Sequence, residues 1–386
     1  MDLGYSQAEE EFRAELRAFL ETCVPREPPP QDPDAEFEWL RAFQRRMFEG
    51  GWCGIHWPRA FGGRDASPTE QAIFVEEMAR ARAPQLVNRV GINNVGPTLM
   101  HYGTEEQKAR WLPGILSAAE IWCQLYSEPD AGSDLASLRT TAVRDGDSFR
   151  VSGQKVWTSY AQHARWAILL ARTNAEAPAH RGISFLVVDM EEPGIEVRPL
   201  RQLDGSVDFN EVFLDEVRVP LDHLIGEQDD GWRISTLTLA HERGTNFAFK
   251  EQALARIALD ELIEEGIARG RSEDPVFRQA VAGLHVEVEI MRLLNLATLT
   301  RIGRGETPGP ETSIVKEHWS RLVQRLGEVS MQVLGPASQL LPGAADAPQG
   351  GRFVQRMLFS RASTIGGGTT EIQKNIIAQR LLGLPR

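Results

Sequence analysis

Between Ile121 and about Gly226 the hydrophobic pattern of this 386-residue chain changes period, and that change limits the possible folds more than any other feature. Upstream, apolar residues recur every three or four positions. Ser6-x-x-Glu9 has capping-box spacing, and Phe12, Leu16, Phe19 and Leu20 then share one helical face. After a Pro-rich break over residues 28–33, a second helical pattern carries Phe37, Leu40, Phe43 and Met47 and stops at Gly50-Gly51. Ser67-Pro68-Thr69-Glu70 combines an N-cap, a first-turn Pro and a third-position Glu, and Thr104-x-x-Gln107 repeats the box, so two further helices start there. Short β-type runs follow at residues 140–143, 149–151, 166–171, 183–188 and 211–219, with Asp145-Gly146 as a hairpin turn. Beyond Gly231 helical spacing returns to the end of the chain, interrupted near residues 270–275, 303–310 and 342–351. The expected class is α+β, with a helical domain over residues 1–120, a small sheet domain over 121–228 and a second helical domain over 229–386.

Charge and cysteine usage exclude several classes of function. Lys plus Arg number 42 against 54 Asp plus Glu, a net charge of −12, which argues against a surface built to neutralise nucleic-acid phosphates. The N-terminal segment lacks a basic stretch followed by an apolar run, and the longest aliphatic run, near residues 166–171, is too short to cross a bilayer, so a cytoplasmic protein without a membrane partner is expected. Cys23, Cys53 and Cys123 lack metal-ligand spacing and read as reduced, buried thiols, so no metal is expected.

Three runs carry candidate chemistry. From Gln124 to Asp134 the chain reads QLYSEPDAGSD, a loop after a strand in which Pro129 fixes direction, Gly132 permits close backbone approach, and Ser127 and Ser133 offer hydroxyls to a polar ligand. An ordinary turn has the same composition. In Lys155-Val-Trp-Thr-Ser159, a flat apolar Trp157 stands beside hydroxyls that suit a planar redox ring, although a lone Trp is commonly core. From Gly366 the chain runs GGGTTEIQKNIIAQRLLGLPR, which on its own is a glycine linker capped by Thr370-x-x-Gln373 into a helix.

Taken together, the three runs resemble in order and spacing the signatures of the acyl-CoA dehydrogenase family, over essentially the whole chain. The resemblance implies an N-terminal helical domain, a middle β-barrel or sheet domain and a C-terminal four-helix bundle, with FAD bound non-covalently across a subunit interface. It implies flavin contacts from Gln124, Tyr126, Ser127, Gly132 and Ser133, an indole cover from Trp157, and contacts near the flavin N5 from Thr158 and Ser159. Adenine-side contacts fall on Gln332 and Gly335 in Gln-Val-Leu-Gly, and on Thr369, Thr370 and Glu371. Partners so implied are an acyl-CoA or acyl-carrier thioester, an electron-transferring flavoprotein or similar acceptor, and further subunits in a homodimer, homotetramer or heteromer. One segment departs: family members have Arg-x-x-Phe-Gly in the bundle, meeting the FAD diphosphate, where this chain has Gly-Arg-Ser-Glu-Asp-Pro over residues 270–275. Either Arg269 or Arg271 takes that place, or one half-site is weak.

The reaction implied needs a carboxylate to remove the α-proton of a thioester while the β-hydride passes to the flavin. Many members supply it as the Glu directly before the Gly-Thr of the C-terminal motif, a position held here by Gly367. A minority place it in a Glu-Arg pair on the first bundle helix, and Glu242-Arg243 matches that pair, so Glu242 is the expected base. Gly244, inside the same helical run, costs about 1 kcal/mol relative to Ala, which is understandable where a ligand or backbone passes close by. Substrate contacts are then expected from Ser133, Arg243, Gly367 and Gly368, with the Gly367 N–H bonding the thioester carbonyl as the enolate forms. The expected product is the 2-enoyl thioester, in fatty acid or lipid catabolism. The alternatives are a flavin oxidase or monooxygenase on the same scaffold, and a flavin-binding or scaffold subunit of a heteromeric dehydrogenase.

Overall fold

The computed structural model describes residues 5–30, 32–242, 245–306 and 309–385, with the side chains of residues 240–246 outside the description. Eleven α-helices and seven strands follow in order among these residues: α1 Gln7–Cys23, α2 Pro33–Glu49, α3 Pro68–Arg80, α4 Gly96–Tyr102, α5 Glu105–Leu116, β1 Trp122–Leu125, β2 Thr141–Asp145, β3 Ser148–Ser159, β4 Trp166–Arg172, β5 Ile183–Asp189, β6 Ile195–Leu200, β7 Phe209–Pro220, α6 Gly231–Glu242, α7 Thr245–Ala268, α8 Pro275–Gly303, α9 Thr312–Leu334, α10 Arg352–Ser360 and α11 Thr370–Ile376. They form two compact units.

One unit comprises Thr22–Ala66 and Pro84–Glu242 and contains the sheet, ordered β1-β4-β2-β3-β7-β6 with β5 on β4. Alternate residues of four strands, Phe149 and Val151, Leu169 and Ala171, Leu186 and Val188, Val217 and Val219, point into one core, so the sheet curls around its own apolar face. β4 and β5 are buried on both faces. On the far side Trp122 and Trp166 stack, and Trp111 of α5 meets both edge-on. Capping boxes at Ser67 and Thr104 start α3 and α5 as expected, each worth about 1 kcal/mol.

The other unit gathers three separated segments, Met1–Glu21, Ser67–Ala83 and Arg243–Arg386. Its main core joins Leu259 and Leu262 of α7, Leu284 and Met291 of α8, Leu322 and Leu326 of α9, and Phe353 of α10, a four-helix arrangement. Ala72 and Val75 of α3 pack with Phe249 of α7. The buried Glu77 carboxylate accepts from Arg17 and Arg80, and that charge compensation fixes α1 to α3.

Two elements went unread in the sequence. α4 is too short to display a period, and β6 carries Pro199, which its edge position tolerates because no further strand needs that N–H; β1, expected only as the strand before the Gln124 loop, takes in Gln124 itself. The expected 149–151 run is part of a twelve-residue strand, because Gly153 does not break it. A Cβ there would lie 2.3 Å from Thr140 Oγ1, so this glycine allows close packing of β2 on β3. The cap of α11 is Thr369, receiving Ile372 N–H, and not Thr370. No described helix is long and apolar enough to cross a membrane, and the three cysteines are buried and free.

Candidate active site

Two of the three runs meet within the sheet unit. Gln124 lies in β1, its Oε1 accepting from Asn94 Nδ2 at 3.0 Å, and Tyr126 is buried at the exit. The chain then reverses between Glu128 and Ala131, whose N–H and C=O groups bond reciprocally at 3.0 and 3.1 Å. Glu128 is only 8% exposed, and its carboxylate accepts from the backbone N–H of Arg139 at 2.6 Å, from that of Thr140 at 2.9 Å, and from Lys155 Nζ at 2.8 Å. Lys155, 0% exposed in β3, also donates to the carbonyls of Tyr126 at 3.1 Å and Leu170 at 2.9 Å. Val156 N–H reaches the Ser127 carbonyl at 2.9 Å, completing the connection. Burial pushes the Lys155 ammonium down to about 8 against the pull of Glu128. Burial pushes Glu128 up, but the Lys155 charge and the hydrogen bonds outweigh it and hold the carboxyl below its usual range.

Two residues beyond Lys155 the strand bulges: pairing with β7 shifts register between Lys155 and Thr158. Trp157 stands at the bulge with φ +61°, unusual for a bulky side chain, and its indole is 62% exposed, edge-on to Phe209 at 6.2 Å. Such a conformation costs on the order of 1–3 kcal/mol and persists only where surrounding contacts over-determine it. Ser159 is half-buried on the same strand, whereas Thr158 is fully buried with an Oγ1 that has no hydrogen-bond partner among the described residues. Gly132 and Ser133 are exposed, and a Cβ added at Gly132 would meet nothing within 4 Å, so its backbone is open to approach. An exposed flat ring, adjacent hydroxyls, an open glycine and an unpartnered buried oxygen fit FAD.

The third run lies in the helical unit. Gly367 and Gly368 take φ +65° and +89°, and their carbonyls accept from the Gln373 amide, 1% exposed, at 3.3 and 3.4 Å. Lys316 lies beneath, its Nζ donating to Ser320 Oγ at 2.9 Å and to the Ser363 carbonyl, and burial holds this ammonium near 8. A Cβ at Gly367 would come 3.6 Å from Lys316 Cε. Thr370 Oγ1 is buried with no hydrogen-bond partner among the described residues, and Glu371 is exposed. Gln332 and Gly335 are exposed where α9 ends, Gly335 with φ +55°. Arg269 donates to the Leu334 carbonyl at 3.3 Å, beside that turn, while Arg271 is engaged by Asp274 at the α8 N-cap.

Glu242 is the last residue of α6; its side chain, with Arg243 and Gly244, lies outside the described residues. One turn earlier α6 is anchored within its own unit, where buried Thr238 bonds Thr98 at 2.8 Å. Lys155, Glu128, Lys316 and Gln373 were missed as functional candidates. All but Lys316 lie in a run already singled out, but charged and amide residues in such contexts read as solvated, and pairing across 27 positions for Lys155 and 47 for Lys316 leaves no local pattern.

Comparison with known proteins follows the same three segments. Residues 6–119 match the acyl-CoA dehydrogenase N-terminal domain, 123–217 the middle domain and 229–382 the C-terminal domain. The chain is 40% identical over 386 residues to the acyl-CoA dehydrogenase IpdE1 of Mycobacterium tuberculosis, covering 98% of each. Among solved structures it is similar to the Tcur3481-Tcur3483 steroid ACAD, 34% identical over 100% of both chains with a TM-score of 0.89. It is also similar to the ChsE4-ChsE5 complex from Mycobacterium tuberculosis, 34% identical over 100% of both chains with a TM-score of 0.87.

Proposed function

Because this chain belongs to the acyl-CoA dehydrogenase family, whose members are FAD-dependent oxidoreductases, we propose that it converts an acyl-CoA to the 2-enoyl-CoA with Glu242 as the base. The Glu242 carboxylate takes the α-proton, the β-hydrogen leaves with its electron pair, and the α,β double bond forms. FAD supplies the acceptor for that pair. Trp157 covers the ring and excludes water, Ser159 and the loop from Tyr126 to Ser133 orient its polar edge, and Gly367 N–H bonds the thioester carbonyl as negative charge gathers there. Ser133, Arg243 and Gly368 are the further residues assigned to substrate binding. Gln332, Gly335, Thr369, Thr370 and Glu371 meet the adenine side, and Arg269, beside the Gly335 turn, serves the diphosphate. The observation that carries this reading is the exposed, strained indole of Trp157, joined through Lys155 to the Ser127 loop.

The likeness to a steroid dehydrogenase supports a bulky polycyclic acyl group over a straight chain, and lipid catabolism as the setting. That relative carries a double name, Tcur3481-Tcur3483, and ChsE4-ChsE5 is a complex, which supports a heteromer over a homo-oligomer. Val286, Ile290 and Leu293 form an exposed apolar stripe on α8 that fits either. An electron-transferring flavoprotein fits as acceptor. The test is Glu242→Gln, which keeps shape and loses basicity. FAD should stay bound while substrate-dependent bleaching slows by about 100- to 10,000-fold. Bleaching at the wild-type rate refutes the base, and substrate-dependent oxygen uptake without enoyl product favours the oxidase or monooxygenase reading.

A further inference from the structure

We propose that Lys155 and Glu128 form a positioning pair that sets the spacing between the Ser127 loop and the Trp157 bulge, and so how tightly the flavin ring is held. Lys155 joins three separate segments: the end of β1 through the Tyr126 carbonyl, β4 through the Leu170 carbonyl, and the turn through Glu128. Glu128 extends the connection to the backbone N–H groups of Arg139 and Thr140 just before β2. A buried ion pair is worth no more to folding than well-packed apolar residues of the same volume. What apolar residues cannot do is hold four backbone groups from separate segments at hydrogen-bonding distance. That rigidity lies beside a strained stretch of backbone at Trp157, whose φ of +61° needs surroundings that leave it no alternative. Lys155 is fully buried and Glu128 nearly so, and the pair acts through Ser127 and Trp157.

The proposal rests on the reading that Trp157 and Ser127 contact FAD, so Trp157→Ala is measured alongside. Lys155→Met alone strands a buried carboxylate and is expected to unfold, so the deciding variant is Lys155→Met with Glu128→Gln, which removes both charges. Thermal unfolding, the FAD dissociation constant and the visible circular dichroism of bound flavin are compared with wild type. The expected result is an unfolding midpoint within a few degrees of wild type, an FAD dissociation constant raised at least tenfold, and an altered flavin band. If Trp157→Ala weakens FAD but the double variant binds it with wild-type affinity and spectrum, the pair is merely structural and the proposal falls. If both bind FAD as wild type does, the flavin-site reading fails and takes the proposal with it. Should the double variant not fold, Glu128→Asp decides, since it keeps the charge but shortens the reach by one methylene. A shifted flavin band with unchanged thermal stability supports positioning, and an unchanged band overturns it.

Discussion

Replacing Trp157 by Gly and, separately, by Ala separates what its indole does for the fold from what it does for the ligand. With 62% of the residue exposed, a little over a third of a side chain of about 200 Å² is buried, and losing it costs about 2 kcal/mol at ~25 cal/mol per Å². The Ala variant bears this cost and keeps the strain of φ +61°. The Gly variant releases about 1–3 kcal/mol of that strain and gives back ~0.5–1 kcal/mol in unfolded-chain entropy. Trp157→Gly should therefore sit within about 1 kcal/mol of wild type, and above Trp157→Ala, the reverse of the usual order for a strand. Both variants lose the same ring contact, worth ~2 kcal/mol, so FAD affinity should fall on the order of 30-fold in each. Thermal unfolding of apo-protein and fluorescence titration with FAD measure the two quantities. An Ala variant more stable than the Gly variant refutes the strain argument, and unchanged FAD affinity in both refutes the site.

Adding Gly367→Glu to Glu242→Gln should partly restore substrate-dependent bleaching, limited by a positive-φ cost of about 1–2 kcal/mol at Gly367, with the recovery read by stopped flow. Gln373→Leu frees the carbonyls of Gly367 and Gly368, and should lower kcat about tenfold or more while FAD stays bound, as absorbance at saturating substrate will report. Stability should fall as pH drops below about 4.5, where unfolded chains bind the proton that the depressed Glu128 carboxyl refuses. It should rise between about 8 and 10.5, because there unfolded lysines keep protons that native Lys155 and Lys316 have released. Equilibrium unfolding across pH checks both limbs, and the variant lacking the Lys155–Glu128 charges should show the acid limb weakened.

What the sequence made legible was whatever leaves a local trace. Capping boxes at Ser6, Ser67 and Thr104 marked helix starts, and Asp145-Gly146 marked its hairpin, because each acts within four residues. Trp157 and the Ser127 loop were recognised by type, yet the positive φ that exposes the indole was not, since strain is invisible in composition. Thr158 was expected as a flavin contact with its neighbours; that its side chain is fully buried, with an Oγ1 lacking a partner among the described residues, was not legible, because simple alternation no longer applies at the bulge. The lysines eluded reading because burial of a charge is decided by partners far along the chain.

The scattered make-up of the helical unit bears on biosynthesis. α3 leaves the ribosome long before α7, whose Phe249 covers Ala72 and Val75. About 160 residues separate the Ser67–Ala83 segment from Arg243, roughly 8–30 s of translation at ~5–20 residues per second. For that interval a nascent helix carries an uncovered apolar stripe and a Glu77 that only α1 and its own Arg80 can neutralise. The sheet unit, complete by Glu242, is free to fold first, so holdase chaperones should engage this chain through α1 and α3 and release it only as the segment from Arg243 onward emerges.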